Sequence, residues 1–157
     1  MHTGLCCSPL GAFGSKGTAF NIRRDFARNG LIVMLDRLLD SVILIDHFNG
    51  IPQATEYLNL LLPARTAISV ITRAEILVGF DDPVSEDVMG LLDEFTLLSI
   101  DGPIADRAAT LRRSYGWKLP DAFQAAVAVH HNLRLVTRNT KDFDPAQHQF
   151  IEIPYGL

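Results

Sequence analysis

The chain has little cysteine, little tryptophan, no long apolar run and no excess of positive charge, and each shortage narrows what it can be. Its two cysteines, Cys6 and Cys7, are neighbours in sequence. Adjacent thiols without further partners suit neither a loop-closing disulfide nor a zinc site, so a reducing, intracellular compartment is the expectation. No window approaches the roughly 18 apolar residues of a membrane span. The N-terminus lacks the basic start, apolar core and cleavage pattern of a secretory signal. With 14 Lys+Arg against 18 Asp+Glu, the formal net charge is −4. That balance excludes a generic charge-driven nucleic-acid coat. It leaves room for a local basic rim around a metal site.

What is present is a foldable composition. Of 157 residues, 48% are apolar and 20% charged, so the signature of disorder is missing. A chain of this length buries about two-thirds of its unfolded surface and needs no covalent staple, and a single domain is expected. Residues 1–33 stand apart. Gly4, Gly11, Gly14 and Gly17 interrupt any period, and the stretch is expected to be a poorly ordered extension or to precede a true start at Met34. Residues 34–157 are expected to form the domain.

From Met34 onward, strand-like and helical patterns alternate, which points to an α/β domain with a mostly parallel sheet. Strands are expected at 35–39, 66–70, 96–100 and 133–137, and a last apolar run spans 150–153. The helical period predicts helices at 52–62, 72–79, 83–95 and 103–115, the last closed by Gly116. Another begins at Pro120, with Phe123, Ala126, Val127 and His130 on one face. The apolar run Val42–Ile45 fits a buried strand or a short helix equally well.

Five polar residues fall at strand ends or in the first turns of the following helices: Asp40, Glu75, Asp121, Asn139 and Asp142. In an open parallel sheet these are positions that gather in one crevice. Carboxylates gathered there repel one another unless a divalent cation neutralises them. Glu75, set among Ile71, Ala74, Ile76 and Leu77, is expected to be buried and to need such a partner. Oxygen ligands suit Mg2+ or Mn2+, whereas zinc recruits histidine or cysteine. One or two such ions promote in-line attack of water on a phosphodiester. Asp46, six positions beyond Asp40, is expected at the rim or in a structural role. His47, His130, His131 and His148 lack a compact metal-binding spacing.

Four segments resemble, in order, the signatures of the PIN-domain ribonucleases, most closely the VapC-like toxins of toxin-antitoxin pairs. They are Asp40-Ser41-Val42-Ile43-Leu44-Ile45-Asp46, Ile68 to Gly79 around Glu75, Leu119-Pro120-Asp121-Ala122, and Leu135-Val136-Thr137-Arg138-Asn139-Thr140-Lys141-Asp142-Phe143. The resemblance spans about 34–153. It implies a three-layer α/β/α sandwich and makes 41–48 a helix. It also implies catalytic and metal-ligating roles for Asp40, Glu75 and Asp121. Many relatives carry an acid where this chain has Asn139, so either Asn139 or Asp142 completes the site.

Ser41, Thr137 and Asn139 are then supporting residues. Arg112, Arg113, Arg138 and Lys141 are candidates for RNA phosphate contacts. The implied activity is that of a cytoplasmic, metal-dependent endoribonuclease with transfer RNA as a family-level substrate. A VapB-like antitoxin and a second copy of the chain are the implied partners, with apolar surface on 52–62 and 83–95 available for either. The alternatives are an RNA-processing nuclease outside toxin-antitoxin systems, a catalytically silent RNA- or protein-binding module, and, more remotely, a phosphatase or receiver-like protein.

Overall fold

The computed structural model describes residues 33–81 and 83–157. The expectation for 1–33 falls almost wholly outside them. The described chain runs β1 (Arg37–Leu39), α1 (Ser41–Phe48), α2 (Pro52–Leu60), a 3-10 turn (Pro63–Arg65), β2 (Thr66–Ser69), α3 (Val70–Val78), α4 (Glu86–Glu94), β3 (Thr96–Leu98), α5 (Gly102–Tyr115), α6 (Leu119–His130), β4 (Arg134–Val136) and β5 (Ile151–Glu152). The strands form one five-stranded sheet in the order β3-β2-β1-β4-β5, and every pairing is parallel.

Alternation along the strands explains the layering. Successive side chains of a strand point to opposite faces. Leu38, Ala67 and Leu135 therefore join Ile104, Ala108, Ala122, Ala126 and Phe143 in a core beneath α5 and α6. Their neighbours Leu39, Ile68 and Val136 join Ile43, Leu44, Ile76, Val88 and Leu92 in a second core beneath α1, α3 and α4. The three central strands are thus buried on both faces, as a parallel sheet requires. This is the expected α/β/α sandwich.

Local chemistry sets the helix ends. Asp40, Ser69 and Asp101 cap α1, α3 and α5 by accepting backbone N–H bonds. Gly116, at φ 72°, closes α5 in the left-handed conformation that glycine adopts at little cost. Helix α4 starts at Glu86, later than the expected Pro83, because Ser85 caps it through the Val88 N–H. Helix α2 ends at Leu60, short of Leu62, and both leucines are exposed, at 82% and 60%. The second apolar helix, α4, instead buries Val88 and Leu92 in the core. His130, expected on the packed face of α6, is exposed at its C-terminus, whereas His148 is buried against Trp117 and Tyr115.

Candidate active site

Strand order reverses at β1, with β2 on one side and β4 on the other. The crevice beyond the carboxyl ends of strands at such a switch point is where open α/β sheets bind ligands. A cleft of about 430 Å3 lies there, and its lining includes Asp40, Ser41, Glu75, Asp121, Arg138, Asn139 and Lys141.

Asp40 follows the last residue of β1 and is only 7% exposed. Its Oδ1 accepts the Ser41 N–H at 2.8 Å, and its Oδ2 accepts the Thr137 hydroxyl at 2.6 Å. Asp40 also caps α1, and Ser41 opens its first turn, buried at the cleft wall. Thr137 is fully buried and accepts the Asn139 N–H at 3.0 Å, so one hydroxyl ties the end of β4 to the catalytic candidate on β1.

Glu75 is exposed, contrary to the expectation of burial. Its helix turns this position toward the cleft, while Thr72 and Ile76 face inward. Asp121 sits half-buried in the first turn of α6. Asp142 does not line the cleft, but its Oδ2 accepts the Asn139 side-chain N–H at 2.9 Å, and its backbone N–H returns a bond to Asn139 Oδ1 at 3.3 Å. Asn139 thus presents the cleft edge and Asp142 backs it.

Electrostatics bind these acids into one group. Burial pushes the Asp40 carboxyl up from its ordinary range, the Thr137 hydrogen bond opposes that rise, and the negative charge of Glu75 adds to it. Burial likewise raises Asp121, followed by the charges of Asp40 and Asp142, while Lys118 and the Asn139 hydrogen bond oppose the shift. Carboxylates that raise one another across a cleft form a site that favours a cation.

Gln124, also on the cleft wall, was missed in the sequence reading. It is 2% exposed, accepts the Ser69 hydroxyl at 2.8 Å, and donates to Thr72 Oγ1 and, at 3.4 Å, to Asp40 Oδ1. A polar residue three positions after Asp121, within the apolar face of α6, was the available signal.

The basic candidates divide. Arg138 and Lys141 line the cleft; Arg112 and Arg113 do not. Arg112 is exposed on the last turn of α5 and donates to the Trp117 carbonyl at 2.9 Å, and Arg113 reaches Thr110. Asp46, buried at 5% exposure, receives both Nε and Nη2 of Arg138 and holds the structural place expected of it.

Among the described residues, no group of three or more His, Cys, Asp or Glu side chains is placed so as to hold a metal ion together. Mg2+ does not need such a group. It binds through one or two carboxylates and keeps several waters. The all-oxygen acid set fits a hard divalent cation in an open site.

An acid-walled cleft at the switch point of a parallel α/β/α sandwich is thus what fold and side chains define together. The PIN domain family profile matches residues 37–147, and the chain belongs to that family. Solved structures agree. A chain of a toxin-antitoxin complex from Klebsiella pneumoniae is 39% identical, with a TM-score of 0.69, covering 78% of this chain and 100% of its own. A chain of FitAcB from Neisseria gonorrhoeae is 26% identical, with a TM-score of 0.63, covering 77% and 99% respectively. A chain of the DNA-bound VapBC complex from Salmonella typhimurium, at 24% identity and a TM-score of 0.62, shares the fold. No curated protein matches the chain. The resemblance to VapC-like toxins is borne out. No described helix is long and apolar enough to cross a membrane.

Proposed function

We propose that the protein is a metal-dependent endoribonuclease and the toxin of a toxin-antitoxin pair, acting in the cytoplasm. The observation that carries this reading is the meeting of Asp40, Glu75 and Asp121 in one cleft, although they come from three different elements. Family membership and a 39% identical relative in a toxin-antitoxin complex support it.

Asp40, Glu75 and Asp121 would hold Mg2+ or Mn2+, with Asn139 at the edge and Asp142 behind it. Bound there, the cation supplies electrophilic stabilisation of phosphoryl charge and acidifies water for attack. Thr137 and the Ser41 N–H fix the Asp40 carboxylate, so its orientation is set before substrate arrives. Lys141 and Arg138 supply positive charge at the rim to draw in an RNA backbone. Transfer RNA is the proposed substrate, and a VapB-like antitoxin the proposed inhibitor, blocking the cleft. The exposed Leu60 and Leu62 offer apolar surface to that antitoxin or to a second copy in a homodimer.

The test is cleavage of a cellular RNA pool by chelator-stripped protein, with Mg2+ or Mn2+ restored and Asp121→Asn as the folded control. Metal-dependent cuts absent from the variant are expected. Cuts that persist unchanged in the variant overturn the reading.

A further inference from the structure

Arg138 does not reach its place in the cleft unaided. Its Nε donates to Asp46 Oδ2 at 2.7 Å and its Nη2 to Asp46 Oδ1 at 3.0 Å, a side-on pairing that uses both carboxylate oxygens. The Tyr155 hydroxyl donates to the same Oδ2 at 3.1 Å. Tyr155 lies beyond the residues that match the family, yet it is partly buried and packs against the core beneath α1, α3 and α4. Arg138 lines the cleft, and its guanidinium also interacts directly with the Tyr155 hydroxyl.

Two physical points give this arrangement a consequence. A guanidinium offers a rigid planar fork, so fixing Nε and Nη2 also fixes where Nη1 points. An untethered arginine next to Asp40 and Asp121 would pair with those acids and supply the charge they need, taking the place of a cation. Asp46 engages the guanidinium instead, and Tyr155 braces both Asp46 and the guanidinium.

We infer that Asp46 and Tyr155 are positioning residues, which hold Arg138 at the cleft wall so that its guanidinium takes a phosphate of the RNA substrate. The inference rests on the proposed RNA-cleaving role and deepens it. It assigns the C-terminal segment a task in substrate binding.

The experiment measures the affinity of the full chain for a labelled single-stranded RNA of mixed sequence by fluorescence anisotropy, beside cleavage kinetics of the same proteins. Arg138→Gln is expected to weaken RNA binding about tenfold, the effect of losing one charge-assisted contact. It should also flatten the salt dependence by about 0.7 in log–log slope, the value for one phosphate contact on a single strand. Tyr155→Phe keeps the ring and the net charge, and is expected to weaken binding about threefold, raising KM more than it lowers kcat.

The deciding measurement is the double variant. If Tyr155 acts through Arg138, Tyr155→Phe adds nothing once Arg138 is glutamine. Independent, additive losses overturn the positioning role, as does a lowered kcat at unchanged KM. An unaltered affinity in Arg138→Gln, or no RNA binding by the wild-type chain, overturns the phosphate contact. A wild-type chain that binds RNA but never cuts it overturns the nuclease reading alone.

Discussion

The Thr137 hydroxyl donates a 2.6 Å hydrogen bond to Oδ2 of Asp40, joining residues 97 positions apart in the chain. The bond exists because Leu39 and Val136 are register partners in adjacent parallel strands, so the next residue of each strand arrives at the same edge. The same hydroxyl accepts the Asn139 N–H, which makes it the link between the two strand ends.

Thr137→Val keeps the shape and removes both bonds. The buried Asp40 carboxylate loses a donor and the Asn139 N–H loses its acceptor. A destabilisation of about 1–3 kcal/mol is expected in urea unfolding. Cleavage at saturating metal should fall at least tenfold, whereas Thr137→Ser, which keeps the hydroxyl, should retain most activity.

Asp40→Asn should separate stability from function. Burial raises the Asp40 carboxyl in the folded state, so the folded chain holds this proton more tightly than the unfolded chain. The resulting stabilisation is complete below the ordinary carboxylate value of 3.8 and is lost as pH rises from there through the higher folded value. Above that range, burial of Asp40 costs the metal-free wild type stability that asparagine, which does not titrate, does not lose. The variant is expected to be inactive yet about 0.5–2 kcal/mol more stable without metal. The gap should narrow when Mg2+ is added, since binding stabilises only the chain that retains the ligand. Thermal unfolding at several pH values, with and without metal, measures both effects.

Gln124→Leu fills a similar volume but leaves the buried Ser69 hydroxyl without its 2.8 Å acceptor. A loss of about 1–3 kcal/mol is expected. Adding Ser69→Ala removes the stranded hydroxyl together with its cap to the Thr72 N–H, so the double variant should recover only part of that loss. Cleavage should stay depressed in both, because the donor to Asp40 is gone.

Arg113→Ala is expected to leave RNA affinity and cleavage unchanged, since that side chain is exposed away from the cleft and reaches only Thr110. Lys141→Gln, at the cleft rim, should raise KM several-fold and reduce the salt dependence of binding. Equal effects of the two substitutions would contradict the assignment of the RNA path to the cleft.

Local chemistry made much of this protein readable before its structure. Strand-helix alternation announced the α/β class, and Gly116 and Pro120 marked helix boundaries. Asp40, Glu75 and Asp121 were picked out because strand ends and the first turns of helices gather at one edge of a parallel sheet. The segment 41–48 was ambiguous because a buried strand and a short buried helix present the same apolar run. The chain order of amino acids determined which elements form and which residues could carry a charge to the crevice. Only the tertiary structure decided that Glu75 is exposed, that Gln124 supports Asp40, that Arg138 is held by Asp46 and Tyr155, and that Arg112 and Arg113 lie elsewhere. Periodicity reports which face of an element is apolar. Which distant face it meets is set by sheet register and by packing on both sides of the sheet.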